Sequence, residues 1–222
     1  MKKKKLIVFD MDGVLIDSET IIAGVQAEVL TELGYPCEPH DMHELFVGKA
    51  TPATLAIVGE LIGEDKVQTF VDRAWPLFAE RMKANLQHVP GIPRVLDSVK
   101  SAGRKTCVAS NSQQVHMHLC LEKTGLAGYF DKSLRFSGRD MPKPKPAPDL
   151  HLHCLQHFGV SADRALVLED SLAGALGAVA AGVPFWGFVG VHPAPEKQAA
   201  AMLEAGAERI LYDWSEFELP QL

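Results

Sequence analysis

A chain of 222 residues, 47% hydrophobic and 23% charged, is long and apolar enough for one large folded unit or two unequal ones, and two are expected here. A net charge of -6 argues against nucleic acid, whose binders present a basic face, and no apolar run approaches the roughly 20 residues a membrane helix needs. Cys37, Cys107, Cys120 and Cys154 are scattered, with neither zinc spacing nor a disulfide framework, which fits a reducing cytoplasm.

The lysines at 2–5 read as a solvated flank of an aggregation-prone strand, and the short acid-bearing segment behind them is no secretory signal. Leu6-Ile7-Val8-Phe9 predicts a buried parallel strand ending on Asp10-Met11-Asp12-Gly13. Ligands of open α/β sheets bind outside the carboxyl ends of strands. Asp10 and Asp12 belong at such an edge, where two close acids need a cation between them or a shared proton. Asp17-Ser18-Glu19-Thr20 starts a helix that carries Ile21, Ile22, Val25, Val29 and Leu30 at helical spacing and stops at Gly34. From Pro36 to about Leu86 the pattern stays helical, which predicts a small bundle inserted by two crossings near residues 16 and 88. The expected division is 1–16 with 88–222 for the sheet domain and 17–87 for the insert.

Pro93 suits the first turn of a helix over 94–102, with its stop at Gly103. Lys105-Thr106-Cys107-Val108-Ala109 predicts a strand with Cys107 as a small core residue. It leads to Ser110-Asn111-Ser112, polar residues able to cap the helix that carries Val115, Leu119 and Leu121. Residues 134–136 are a weak strand, and 143–149 a stiff, proline-rich extended segment with Asp149 capping a helix over 150–158. A strand at 165–168 ends in Glu169-Asp170-Ser171, a small-residue helix follows over 172–181, and 183–189 and 209–212 are the last strands. Such alternation defines the α/β class, with a doubly wound, Rossmann-like parallel sheet.

Three strand ends then deliver Asp10 and Asp12, Ser110 and Asn111, and Glu169 and Asp170 to one edge. With a lysine from the proline-rich segment they make a carboxylate cluster, a hydroxyl near backbone donors and a fixed cation, an inventory that suits phosphate. Asp10, Asp170 and the Asp12 backbone carbonyl are hard oxygen ligands for magnesium. Asp10 is the candidate nucleophile, forming an aspartyl-phosphate, and Asp12 the candidate general acid and base. Ser110, the Asn111 amide and Lys145 hold the non-bridging oxygens. Gly48-Lys49-Ala50-Thr51 fails as a nucleotide loop, because the position of its earlier glycine is His43. His153 and His157 are four apart on a predicted helix but lack a third zinc ligand, and Trp75, Phe78 and Trp186 read as core and domain-contact residues.

Four pieces in order, spanning nearly the whole chain, resemble the haloacid dehalogenase superfamily in the branch of beta-phosphoglucomutase and small sugar-phosphate phosphatases. They are Asp10-Met11-Asp12-Gly13-Val14 with Asp17-Ser18-Glu19, Ala109-Ser110-Asn111-Ser112, Lys145-Pro146-Ala147-Pro148-Asp149, and Glu169-Asp170-Ser171 with Gly174 and Ala180-Ala181-Gly182. The resemblance implies that the insert is a cap, closing over the site and reading the leaving group, with Lys49 offered to the substrate from a cap loop. It selects Lys145 over Lys143, and it adds Glu169 to Asp10, Asp12 and Asp170 as a metal ligand, directly or through water. An acid at Asp12 implies phosphate esters, since relatives that cleave carbon-phosphorus or carbon-halogen bonds lack it. The expected function is a magnesium-dependent phosphatase acting on a small phosphorylated metabolite, a sugar or sugar-acid phosphate. The protein is expected to be a cytoplasmic monomer without nucleic-acid or membrane partners. The alternatives are a phosphosugar mutase, whose cap-helix histidine has no counterpart in Ile21-Ile22-Ala23-Gly24-Val25, and a non-catalytic phosphate-binding regulatory module on the same fold.

Overall fold

The computed structural model describes residues 4–46 and 51–219. The chain falls into two compact units, Met1–Asp17 with Gln87–Leu222, and Ser18–Leu86. The helical unit holds α1 (Glu19–Glu32), α2 (Met42–Phe46), α3 (Thr51–Ile62) and α4 (Val67–Asn85). The sheet unit holds α5 (Ile92–Ser101), α6 (Gln114–Lys123), α7 (Asp149–Phe158), α8 (Leu172–Ala180) and α9 (Pro195–Glu204). Its strands are β1 (Leu6–Phe9), β2 (Lys105–Ser110), β3 (Arg135–Ser137), β4 (Ala165–Glu169), β5 (Phe185–Phe188) and β6 (Arg209–Leu211).

The six strands form one parallel sheet in the order β3-β2-β1-β4-β5-β6. β1 is central and every one of its side chains is buried, which is why its sequence is an unbroken apolar run rather than an alternation. Successive side chains point to opposite faces: Leu6, Val8, Cys107, Ala109, Ala165 and Val167 share a core with Leu150 and Cys154 of α7, Ala175 and Ala178 of α8 and Met202 of α9. The order reverses between β1 and β4, so the crevice beyond their carboxyl ends is the place where such sheets bind ligands.

The helical unit buries Val25, Val29 and Leu30 of α1 with Met42, Phe46, Val58, Ile62 and Phe70, and no strand occurs among its described residues. The chain leaves and returns to the sheet unit along paired segments: Asp17 N–H donates to Gln87 O (3.1 Å), Val89 N–H donates to Leu15 O (2.9 Å), and Ile16 bridges His88. Among the described residues no helix is long and apolar enough to cross a membrane.

Several local expectations are corrected. Residues 143–149 are not extended: Ala147 N–H donates to Pro144 O (3.0 Å), closing a turn, and the Lys145-Pro146 peptide is cis, an isomer proline tolerates far better than other residues. Asp149 does not cap α7; Pro148 occupies that position, and Asp149 lies in the first turn, where a negative charge complements the helix dipole. Nor do Ser110-Asn111-Ser112 cap α6, whose first flanking residue is Gln113 with no side-chain bond. Lys4 is not solvated; it is 5% exposed with Nζ donating to Asp163 O (3.1 Å), and burial lowers its pKa against the opposing charges of Glu208 and Asp163. Trp75 is no core residue either, standing 71% exposed on α4 with its ring 6.0 Å from that of Phe78, while Trp186 is buried.

Candidate active site

β1 is extended by one residue at its carboxyl end, where Asp10 N–H donates to Leu168 O of β4 (2.9 Å). That bond sets Asp10 beside the end of β4, which supplies Glu169 and then Asp170, and β2 ends on Ser110. Asp10, Ser110, Lys145, Glu169 and Asp170 are each at most 8% exposed, a degree of burial that charged groups tolerate only when paired or bound to an ion. Two glycines make the convergence possible. A Cβ at Gly13, whose φ is 75°, would overlap the Asp170 carboxylate, and one at Gly174 in α8 would overlap that of Glu169.

Lys145 Nζ donates to Asp10 Oδ1 (2.6 Å), to Ala109 O (2.7 Å) and to Glu169 Oε1. All three donor sites of its ammonium are used. Glu169 Oε2 accepts from Ser171 N–H (3.1 Å) and Ser171 Oγ (3.0 Å), so both of its oxygens are engaged. Asn111 grips the lysine's backbone from both sides: its Nδ2 donates to Lys145 O (3.1 Å) and its Oδ1 accepts from Lys145 N–H (3.0 Å). Burial pushes the Lys145 ammonium toward neutrality, but the Asp10 and Glu169 carboxylates outweigh it and hold the pKa above the ordinary lysine value. Burial, then the neighbouring Glu169 charge, raises the Asp10 carboxyl well above the usual range, with Lys145 opposing them. Neighbouring negative charge raises both groups, while burial adds to the rise at Asp10 and opposes it at Lys145.

Carboxylate oxygens of Asp10, Glu169 and Asp170 all lie within 4.8 Å of one another. Hard oxygen donors, burial and uncompensated negative charge fit a divalent cation. Asp12 stands outside this three-acid group; its Oδ2 accepts from Ser112 Oγ (3.0 Å). Ser110 Oγ accepts from Ser112 N–H (3.1 Å). The structure thus gathers Asp10, Ser110, Asn111, Lys145, Glu169 and Asp170 at one strand edge with Asp12 beside them, whereas Lys49 lies outside the described residues.

Some contributors carry no earlier assignment. Ser137, in register with Ser110 at the end of β3, donates from Oγ to Ser112 O (2.8 Å); the strand-end rule that finds Ser110 finds it too. Gln198 of α9 donates from Nε2 to the Asp170 backbone carbonyl, and nothing in a run of alanines advertises that. His151 of α7 is 1% exposed, and neither ring nitrogen has a partner in bonding geometry. Burial, then the Lys145 charge, lowers its pKa to about 3, with the Gly174 backbone acting the other way. His153 and His157, the zinc pair that lacked a third ligand, both set their rings edge-on to Phe136 at 5.0 Å.

Fold and site together define an α/β enzyme with a buried acid cluster at the reversal point of its sheet. The model of the haloacid dehalogenase-like hydrolases matches residues 7–188, and the chain belongs to that family. It is similar to the phosphorylated carbohydrates phosphatase of Thermotoga maritima, 30% identical over 211 residues covering 92% of this chain and 93% of the other. The phosphoglycolate phosphatase of Thiobacillus denitrificans is 28% identical over 217 residues, covering 93% and 94%. Among solved structures, a HAD family hydrolase of Deinococcus radiodurans with bound phosphate and sodium aligns with a TM-score of 0.84 at 31% identity, covering 96% of this chain and 93% of that one.

Proposed function

We propose that this chain is a magnesium-dependent phosphatase that hydrolyses a small sugar or sugar-acid phosphate through an aspartyl-phosphate on Asp10. The observation that carries this reading is the buried pairing of Lys145 with Asp10 and Glu169 next to Asp170. It combines a nucleophile, a fixed cation and a cation site. In the first half-reaction an Asp10 oxygen attacks phosphorus, the ester P–O bond breaks, and Asp12 protonates the departing oxygen. In the second, water attacks phosphorus and gives its proton to Asp12, the bond to Asp10 breaks, and inorganic phosphate leaves. Ser110, whose Oγ accepts from Ser112 N–H and keeps its own proton to donate, holds non-bridging oxygens with Lys145 and the Asn111 backbone amide; the Asn111 side chain is committed to the lysine's backbone. Asp10, Asp170 and the Asp12 carbonyl would hold magnesium, which neutralises the acids and the incoming phosphate, with Glu169, already engaged at both oxygens, reaching it through water.

The Ser18–Leu86 unit acts as the cap that selects the leaving group, with Lys49 as its basic residue. No histidine occurs in Ile21-Ile22-Ala23-Gly24-Val25, which favours water over a second sugar as the acceptor. Relatives named for phosphorylated carbohydrates and for phosphoglycolate support a small polyhydroxy or acidic leaving group. Phosphate release from a broad ester panel, with and without magnesium, tests the reading. Release that depends on the metal is expected. Interconversion of sugar phosphates without release would replace it with a mutase, and tight binding without turnover would replace it with a regulatory module.

A further inference from the structure

Ser112 sits in the loop between β2 and α6, where a serine ordinarily serves the helix start. It does not do so here, since the flanking residue of α6 is Gln113 and no side chain caps that helix. Instead Ser112 is tied at three points. Its amide donates to Ser110 Oγ (3.1 Å), its carbonyl accepts from Ser137 Oγ (2.8 Å), and its own Oγ donates to Asp12 Oδ2 (3.0 Å). Ser137 is in turn fixed by Arg139 N–H, which donates to its Oγ (3.0 Å), and both Ser137 and Ser110 are at most 2% exposed. The two buried serines, paired in register on neighbouring strands, therefore hold the Ser112 backbone while its hydroxyl reaches a residue 100 positions earlier in the chain.

We infer that Ser112 is the positioning residue for Asp12: it sets the rotation of that carboxylate so that one acid serves both half-reactions. The inference rests on the phosphatase reading above. A hydroxyl-to-carboxylate bond is charge-assisted and stronger than a neutral one, and it is anchored to the same Ser110 that faces the phosphate. Orientation of the proton carrier and placement of the phosphoryl group are thereby built from one serine cluster, Ser110, Ser112 and Ser137. Misplacing a catalytic group by about 1 Å costs on the order of a hundredfold in rate.

The two half-reactions can be separated by the leaving group. An alkyl oxygen needs a proton to leave, whereas 4-nitrophenolate does not, so only hydrolysis of the intermediate needs Asp12 when 4-nitrophenyl phosphate is the substrate. Wild type, Ser112→Ala and Ser112→Thr are compared by stopped flow on 4-nitrophenyl phosphate with magnesium, and by steady-state phosphate release from an alkyl phosphate that wild type turns over. For Ser112→Ala a burst of one equivalent of 4-nitrophenol at the wild-type rate is expected, followed by a steady state about 10- to 100-fold slower. On the alkyl ester kcat should fall by a similar factor with KM little changed. Ser112→Thr, which keeps the hydroxyl, should restore both. A burst slowed as much as the steady state, a change confined to KM, or wild-type behaviour of Ser112→Ala would overturn the inference while leaving the hydrolase reading intact. Wild type that releases no phosphate from any ester would sink both together.

Discussion

In the sheet unit charged side chains are carried into the interior, whereas among the described residues of the helical unit Ser18 is the single buried polar side chain. Two buried cations of the sheet unit are matched: Lys145 by two carboxylates and a carbonyl, and Arg135, 4% exposed, by the Phe130 carbonyl through Nε (3.0 Å) and a terminal nitrogen (2.8 Å). In the helical unit the ion pair Arg73–Glu32 (3.1 Å) lies at the surface, 51% and 46% exposed, over a core of aliphatic and aromatic groups. The contrast separates two ways of using sequence. Helix packing constrains size and shape and leaves chemistry free to vary, while a buried charge cluster constrains identity atom by atom.

That contrast can be broken most sharply at its centre. Asp10→Asn removes the proposed nucleophile with little change in shape, so turnover should fall on the order of 10⁴-fold or more while circular dichroism stays native; retained turnover would reject the cluster as the site. Next in size, Lys145→Ala leaves Asp10 and Glu169 buried and unpaired, and urea unfolding should show a loss of about 3 to 5 kcal/mol. A loss no larger than that of a surface pair would mean that water enters the cluster freely.

His151 gives a smaller effect with a definite sign. Its folded pKa of about 3 lies below the ordinary 6.5, so the unfolded chain takes up a proton that the folded chain refuses. The stability this group contributes is full above pH 6.5 and is lost as the pH falls from there toward 3, at up to about 1.4 kcal/mol per unit. His151→Leu, which removes two ring nitrogens without hydrogen-bond partners, should flatten that acid limb in chemical unfolding run from pH 7 down to 4. Parallel slopes for wild type and variant would contradict the assignment. At the bottom of the scale, Glu32→Ala should change stability by no more than about 1 kcal/mol, because an exposed pair gains little over its hydrated parts.

The sheet was legible because a parallel strand buried on both faces has no choice but an unbroken apolar run, as in Leu6–Phe9 and residues 165–168 of β4. Chemistry-bearing residues follow such runs directly, so Asp10, Ser110, Glu169 and Asp170 could be read as neighbours without knowing how far apart they lie. The helix α9 escaped notice because Pro195–Glu204 is largely alanine and charge, with Met202 its one large buried apolar side chain. Gln198 went with it. Hydroxyl networks were illegible for another reason: a serine can cap a helix, bond a neighbouring strand or hold an acid with the same group, and only the fold decides among them for Ser112, Ser137 and Ser171. The turn at 143–149 likewise depends on Asn111, more than 30 residues away, gripping the Lys145 backbone. Lys4 and Trp75 exchanged their expected environments, since a flanking lysine found a buried carbonyl and an aromatic at helical spacing fell on the outer side of α4.

The covalent role of Asp10 is tested most directly by quenching turnover in acid within milliseconds and mapping the phosphorylated peptide. One phosphoryl group on the peptide that contains Asp10, absent in Asp10→Asn and decaying at the rate of phosphate release, is the predicted result. Sustained turnover with that peptide unmodified, or with the phosphoryl group on another residue, would contradict it.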